Sequence, residues 1–524
     1  MNEKHSHCMN RIRIISLLLA VAVSTGFAAA QDTDTQYRAF KPRLPYNAAV
    51  AHNVWNDGVN INGIRQDQLY NSSYAELYGT YIGGGFKSSS QPTTAWKAGA
   101  RAGTLVHLKR FSMKGAFSFE QFQGENMAGS MFITPGYYPV DVIEFTPGRK
   151  TKQTYSFDGG ISVDVSDGWR IGGNMDFTSA NYSKRKDLRH TNYRLDMTVA
   201  PGVLFHTGDF AVGANYIFNK ESESVDAEQI GTGESSYYAF LDKGILYGKY
   251  EVWTGSGVHL DEAGVNGFPV KVLSNGVAAQ ISYDQLFFEF KYLHSQGTVG
   301  EKQFTWFRFP GNEYRFTLDY RIDGNKLHHT IRAKAGIKAL QNYETVLEKV
   351  TQGGVTTVAE YGSNRIYGKK AVSASLEYGL KGDAFSIGLL GEVNSVDESA
   401  SQMYPYLFRQ NMLLENVRLN VSIPAGRFLP SLAVGYKGGI FHEWEESLDE
   451  TSGVVTRPYK LQNYWAGQME YLTTPQIYFT PSLRYTFGNK LYIEAGANVL
   501  KAFKLQIIKG SVRYDATLRF GYNF

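Results

Sequence analysis

The C-terminal segment alternates apolar and polar side chains, and this alternation constrains the fold more than any other feature of the chain. Every second position from 512 to 524 is apolar: Val512, Tyr514, Ala516, Leu518, Phe520, Tyr522 and Phe524. Three of the positions between them carry charge, namely Arg513, Asp515 and Arg519. Because successive side chains of a β-strand point to opposite faces, the segment predicts a strand with one apolar and one charged face.

The cost of burying charge in lipid decides the orientation of such strands. An arginine that faces the middle of a bilayer costs ~2–4 kcal/mol, so Arg513 and Arg519 must face the interior of a barrel. Similar segments, such as 193–199 and 314–322, recur from about Asn71 onward. Each is roughly 10 to 14 residues long, close to the length of a tilted membrane-spanning strand.

The connections between these segments alternate between short and long. Tight turns rich in Gly, Asp and Asn occur at 166–168, 206–209 and 323–326, whereas 124–150 and 222–268 are long and polar. Membrane barrels place short turns on the periplasmic side and long loops outside. The sequence therefore predicts an all-β protein, a transmembrane antiparallel up-and-down β-barrel of about 18 strands, with 16 as the nearest alternative. Pro201, Pro430 and Pro481 fall inside the predicted strands and predict bulges or strand ends near the turns.

The N-terminal region has the composition of a targeting segment. Arg11 and Arg13 precede an apolar run from Ile14 to Val23, and Ala28-Ala29-Ala30 follows it. We expect residues 1–30 to be a cleavable signal peptide, which implies export. Residues 31–70 are then either an N-terminal periplasmic arm or a small plug that folds into the lumen, and residues 71–524 form the barrel.

The end of the chain resembles the terminal signature of outer-membrane barrels, in which an aromatic final residue closes an amphipathic strand. Phe520, Tyr522 and Phe524 match that signature and would be read by the barrel-assembly machinery. The whole pattern resembles the uncharacterised outer-membrane β-barrels of Bacteroidota-type bacteria that are grouped as domains of unknown function. This resemblance implies a location in the outer membrane of a Gram-negative bacterium, in contact with outer-membrane lipid, and implies little about activity.

The leading functional hypothesis is a channel or a transport-associated pore. The inward faces carry both signs of charge, at Arg194, Asp196, Arg315, Asp319, Arg321, Arg332, Lys334, Arg484, Arg513, Asp515 and Arg519. These side chains could form a constriction that selects small polar or anionic solutes, or they could form cross-strand salt bridges that hold a polar wall together. A net charge of only +4 gives no reason to expect a nucleic-acid partner.

Two other functions stay open at this point. The loops contain aromatic residues, namely Tyr137-Tyr138, Tyr237-Tyr238, Trp253 and Tyr464-Trp465. Such residues suit a surface-binding protein, or an accessory subunit of an uptake or secretion complex that has a surface or periplasmic protein partner. They equally suit an aromatic girdle at the membrane interface. An outer-membrane hydrolase would need a Ser–His or Asp–His constellation, and no local signature of one appears. We therefore predict no enzymatic activity and no metal or cofactor.

Overall fold

The alternating segments of the sequence are β-strands in a computed structural model of the chain. The structure describes residues 53–66, 71–228, 238–252, 267–302, 304–353, 355–401, 408–446, 459–488 and 490–524, all within one compact unit, Pro45–Phe524. The strands are β1 (Ser72–Gly83), β2 (Ala95–His107), β3 (Phe111–Ser130), β4 (Asp141–Ser166), β5 (Trp169–Lys184), β6 (Arg189–Thr207), β7 (Phe210–Glu228), β8 (Tyr238–Asp242), β9 (Gly248–Val252), β10 (Phe268–Tyr283), β11 (Leu286–Glu301), β12 (Phe304–Asp323), β13 (Leu327–Gln352), β14 (Val355–Gly382), β15 (Ser386–Ala400), β16 (Phe408–Ser422), β17 (Phe428–Glu446), β18 (Gln476–Phe487), β19 (Leu491–Ala502) and β20 (Val512–Asn523).

The sheet closes on itself to form a barrel. Each wall strand pairs antiparallel with the next one along the chain, β7 pairs with β10, and β20 pairs with β1 to complete the ring. The hairpin β8–β9 is not part of the wall but pairs with the first residues of β4. The wall therefore contains 18 strands, which confirms the predicted fold and strand number.

The prediction that the three strand prolines mark bulges or strand ends is wrong for two of them. Pro201 and Pro481 lie inside β6 and β18, and the pairing register does not shift on either side of them. The ladder only omits the pairs at each proline and the residue before it, because proline has no N–H to donate. Pro430 is the third residue of β17 and does lie near a turn, as predicted.

The outer surface of the barrel is apolar. Side chains such as Leu77, Ile171, Val277 and Leu389 alternate with polar neighbours and are exposed on the outside of the wall. A closed barrel with this belt spans a membrane, where the belt meets lipid. The short turns at 167–168, 208–209 and 284–285 share one end, which is the periplasmic end by the usual rule, and the long connections share the other. The protein is thus an outer-membrane β-barrel.

The helices of the described residues lie toward the two ends of the barrel. Two short 3-10 helices, Val54–Asp57 and Ile61–Arg65, precede β1, and helix α1 (Tyr459–Thr473) lies between β17 and β18. In the part of the chain that the structure describes, no helix is long and apolar enough to cross a membrane.

Candidate functional site

The charged residues predicted to line the lumen alternate with outward apolar neighbours and therefore point inward, where most of them form ion pairs. Arg194 on β6 contacts Glu221 on β7, with 2.6 Å between Nη2 and Oε1. Arg332 on β13 contacts Asp319 at 3.1 Å and Asp57, which lies outside the wall strands, at 2.6 Å. These contacts agree with the salt-bridge interpretation of the inner charges.

Similar ion pairs form on β12 and on β18–β20. Arg484 and Arg519 both contact Glu494 on β19, the first with 2.6 Å between Nη2 and Oε2. Arg315 forms an ion pair with Glu313, two residues away on the same strand. The role of these charges in selecting a solute stays a prediction.

The remaining predicted residues also make polar contacts. Lys334 lies 3.3 Å from a carboxylate oxygen of Asp57, and Arg513 donates to the carbonyl oxygen of Pro92 at 2.6 Å. Asp196 and Asp515 accept from asparagine side chains, and Arg321 is buried.

Residues 53–66, which we call the inner segment, lie against the inside of the wall near the periplasmic turns. Trp55 is buried and donates from Nε1 to Ser282 at 3.1 Å, while its ring packs on Phe287 with centroids 5.0 Å apart. The Asn62 side chain donates to the carbonyl of Gly202 at 2.9 Å and accepts from Ser162 at 2.9 Å. One short peptide thus contacts strands that lie far apart along the chain.

Ion pairs hold the inner segment against the wall, and glycines of the wall leave room for its close approach. At one end Asp57 bridges Arg332 and Lys334, and at the other Arg65 contacts Asp164 at 2.9 Å. A Cβ atom at wall position Gly172 would lie 2.6 Å from the Asn62 side chain, so the close approach needs glycine. Inward glycines beneath the segment are a signal that sequence reasoning missed, because glycine is also common in turns.

At the opposite end of the barrel three segments cover the lumen, and we call them the outer cap. They are residues 131–140 between β3 and β4, the hairpin β8–β9 with its turn (238–252), and helix α1. Their apolar side chains form a core with inward residues of the wall strands. Phe132 contacts Phe268 of β10, Tyr138 contacts Phe309 of β12, and Tyr247 contacts Phe408 of β16.

Helix α1 completes the outer cap on the other side. Trp465 packs against Trp444 of β17 with centroids 5.2 Å apart, and Tyr464 contacts Phe145 of β4 at 6.3 Å. Glu470 accepts hydrogen bonds from the backbone N–H groups of 506–508, in the connection between β19 and β20. The outer cap therefore joins strands around most of the extracellular mouth.

The tip of the 131–140 segment reaches into the lumen and is held there by two carboxylates, those of Glu221 and Glu223. Tyr137 and Tyr138 donate to the two oxygens of Glu221, each at 2.9 Å, and Arg194 contacts the same group. Glu223 accepts from the backbone N–H of Ile133 at 2.8 Å. Burial and the Glu221 charge raise the pKa of the Tyr138 hydroxyl well above its usual range, so this hydroxyl remains a donor.

A buried charged cluster attaches the base of the same segment to the wall. Lys184 of β5 contacts Glu144 of β4 at 2.6 Å, and Lys150 lies 3.4 Å from the same carboxylate, with all three side chains almost fully buried. Lys150 also donates to the carbonyl of Ser130. Removal of Glu144 would leave two uncompensated buried cations, which is strongly destabilising.

Between the inner segment and the outer cap lies a chamber of about 270 Å³. Val59 of the inner segment and residues 137–139 of the outer cap both line it, and β5–β7 and β10–β13 form its wall. Carboxylates face it from β5, β7 and β12, through Asp176, Glu221 and Glu313, and cations face it from β11–β13. Its volume is just below the ~300–1,000 Å³ of typical small-molecule sites.

The aromatic residues of the loops are mostly neither free for docking nor part of a girdle. Tyr138 and Tyr464 pack inside the outer cap, and Tyr137 faces the chamber. Tyr237 and Trp253 lie outside the described residues. Sequence reasoning could not place these residues, because loop aromatics have no periodicity that reveals the face they contact.

Phe520, Tyr522 and Phe524 lie at the outer surface of the barrel, exposed on the last strand. Their role as an assembly signal stays a prediction. Among the residues that the structure describes, no group of three or more His, Cys, Asp or Glu side chains could hold a metal ion.

Comparison with solved structures shows similarity at very low sequence identity. The FrpB iron transporter from Neisseria meningitidis is 9% identical, with a TM-score of 0.43, over 86% of this chain and 81% of that chain. The ferric preacinetobactin receptor BauA from Acinetobacter baumannii is 9% identical, with a TM-score of 0.37, over 87% and 80%. The outer membrane protein opdK from Pseudomonas aeruginosa is 8% identical, with a TM-score of 0.33, over 87% and 98%. Similarity at this level carries no inference about a substrate.

Comparison with protein families is more specific. No protein with curated annotation matches the chain significantly. A family model does match, and it extends from the second 3-10 helix to the last residue of the chain, so that it includes every wall strand. The resemblance to a barrel family of unknown function is thereby confirmed, whereas a Bacteroidota origin stays a prediction. The chain belongs to the family of unknown function DUF6850, whose model matches residues 62–524.

Proposed function

We propose that this protein is a gated transport barrel that passes a small polar solute across the outer membrane. The observation that carries the proposal is the chamber, which lies between two segments inserted into the lumen from opposite ends. A barrel of 18 strands is wide enough for an aqueous lumen unless something fills it. Here the inner segment and the outer cap fill much of it, so a solute passes only when they move.

The way in which these two elements are held supports their movement. The inner segment is not paired as a strand in the wall, and its contacts are mostly side-chain hydrogen bonds and ion pairs, such as those of Asn62 and Asp57. The tip of the outer cap is held mainly through Glu221 and Glu223. Because water can replace polar contacts of this kind, either element can leave its position without breaking the barrel ladder.

Single-channel recording in planar bilayers tests the proposal. We would compare the full mature chain with three variants: deletion of 53–66, replacement of 131–140 by a Gly-Ser linker of equal length, and both changes together. Asp167→Asn, in the short β4–β5 turn, is the matched control. We expect the full chain and the control to be silent, the single variants to open briefly, and the double variant to conduct steadily.

Two results would contradict the proposal. Large, steady conductance of the unaltered chain would show that neither element closes the lumen. A silent double variant that keeps the heat resistance and strand content of the parent protein would show that no solute path exists, and would favour a binding or accessory role.

A further inference from the structure

We infer that the chamber contains a binding site for a small organic anion, formed by Lys291, Arg315 and Lys338. The inference rests on the proposed function only in treating the chamber as part of the solute path. The three cations belong to the neighbouring strands β11, β12 and β13, and all of them line the chamber. The three side chains therefore lie on one side of the chamber.

The pairing register brings like charges together at this position. Lys291 lies directly opposite Arg315 in the β11–β12 ladder. Two cations in directly opposite positions destabilise a sheet, and a polar barrel wall does not require such a pair. An anion bound between them turns the repulsion into two favourable contacts.

The available carboxylate neutralises only one of the three cations. Glu313 lies directly opposite Lys338 in the β12–β13 ladder, yet its ion pair is with Arg315. No carboxylate of the described chain lies within ion-pair distance of the Lys291 or Lys338 ammonium group. Two ammonium groups therefore face the chamber with their charge uncompensated at close range.

The outer cap adds an aromatic surface to the same site. The Tyr137 ring lies between Lys338, whose Nζ is 5.5 Å from the ring centroid, and Arg194, whose guanidinium carbon is 4.8 Å from it. Ser274 and Ser295, which are hydrogen-bonded to each other at 2.8 Å, supply hydroxyl groups in the chamber wall. Cations, hydroxyls and an aromatic ring together suit a compact hydroxylated solute that carries a carboxylate or a phosphate.

The acidic residues of the chamber set the orientation of this solute. Asp176 lies on β5, Glu221 is already paired with Arg194, and Glu313 is already paired with Arg315. The anionic group of a bound solute therefore points to β11–β13, and its neutral part lies toward β5–β7.

Isothermal titration of the purified full chain tests the site without requiring transport. The probes are D-glucuronate, D-glucose 6-phosphate and D-glucose, which share one sugar ring and differ in carrying a carboxylate, a phosphate or no charge. We expect one or both anions to bind and glucose to bind at least tenfold more weakly. Lys291→Gln and Lys338→Gln should each weaken anion binding by about tenfold, the loss expected for one hydrogen bond to a charged group. Binding should also weaken when the salt concentration is raised.

Lys437→Gln is the matched control, because Lys437 lies on β17 and does not line the chamber. Preference for glucuronate would assign the site to carboxylates, and preference for glucose 6-phosphate would assign it to phosphates. Equal binding of glucose and both anions, or equal effects of the Lys437 and Lys291 variants, would overturn the inference. If anions bind but the double variant that lacks both lumen elements does not conduct, the binding site is retained and transport is refuted. If the double variant conducts but no anion binds, transport is retained and the binding site is refuted.

Discussion

Replacement of Glu221 by glutamine should loosen the outer cap without unfolding the barrel. Glu221 lies on the inner face of β7 and is almost completely buried. It accepts one hydrogen bond from each of Tyr137 and Tyr138, so it holds the deepest part of the 131–140 segment. Glu221→Gln keeps the size of the side chain and removes its charge.

The expected magnitude follows from the two hydrogen bonds. A hydrogen bond to a charged group contributes ~1.5–3 kcal/mol, whereas a neutral one contributes ~0.5–1.5 kcal/mol. After the replacement one tyrosine donates to Oε1 and the other accepts from Nε2. Both bonds thus change from the first class to the second and lose about 2–3 kcal/mol together. Arg194 keeps a second carboxylate, Asp196, at 3.6 Å, so its charge adds little to the loss. The population of the open cap should therefore rise about 30- to 140-fold, at 1.4 kcal/mol for each factor of ten.

Amide hydrogen exchange followed by mass spectrometry measures this change. Peptides that cover 131–140 should lose protection by the same factor, because exchange in this segment follows local opening. The backbone N–H of Ile133, which is bonded to Glu223, is the most informative group. Peptides from the periplasmic half of β7 should exchange as in the unaltered protein.

Glu392→Gln is the matched control, since Glu392 on β15 accepts a side-chain hydrogen bond from Asn416 and lies far from the 131–140 segment along the wall. Unchanged protection of 131–140 in Glu221→Gln would refute the assignment of Glu221 as the main attachment of the tip. Equal loss of protection in both variants would show that the effect is a general loss of barrel stability.

Two further predictions concern the base of the outer cap and the inner segment. Burial raises the pKa of Asp141, which accepts from Ser130 at 2.7 Å, to about 7 from its usual 3.8. The protonated form of Asp141 is thus favoured in the closed cap. Its contribution to the stability of the cap is complete below about pH 4 and is lost as the pH rises through about 7. Amide exchange in 131–140, corrected for its intrinsic pH dependence, should therefore be slower at pH 5 than at pH 8, and Asp141→Asn should abolish this difference. Trp55→Ala should lower the stability of the docked inner segment by ~3–5 kcal/mol and make 53–66 accessible to a protease. Trp169→Ala, on the lipid side of the wall, is the control. Equal cleavage of both variants would contradict the role of Trp55.

The barrel could be predicted from the sequence because its strands repeat a local rule. In β20, Arg513 and Arg519 alternate with apolar residues, and the cost of placing arginine in lipid allows only one orientation. The turns between the segments then predicted about 18 strands, with 16 as the nearest alternative. Pro201 and Pro481 misled the prediction, because the ladder tolerates a missing donor without a shift in register.

The sequence predicted which charged residues face the lumen, but it did not predict their ion-pair partners. Alternation places Arg332 on the inner face, yet it cannot reveal that Asp57, outside the wall strands, supplies one of its ion-pair partners. Partners of this kind are set by the closure of the barrel and by the path of the N-terminal region. The sequence therefore left both a selectivity role and a salt-bridge role open.

The amino-acid sequence by itself determined the barrel and limited its strand number to 18 or 16, because both depend on a two-residue period and on turn composition. Only the tertiary structure decided what fills the lumen. Trp55 meets Ser282, and Tyr137 meets Glu221, across more than eighty residues of chain in both cases. The segments that carry Trp55 and Tyr137 have no periodic pattern, and the polar groups that hold them become neighbours only after the sheet has closed. The chamber between them is consequently a property of the closed barrel and not of any one stretch of sequence.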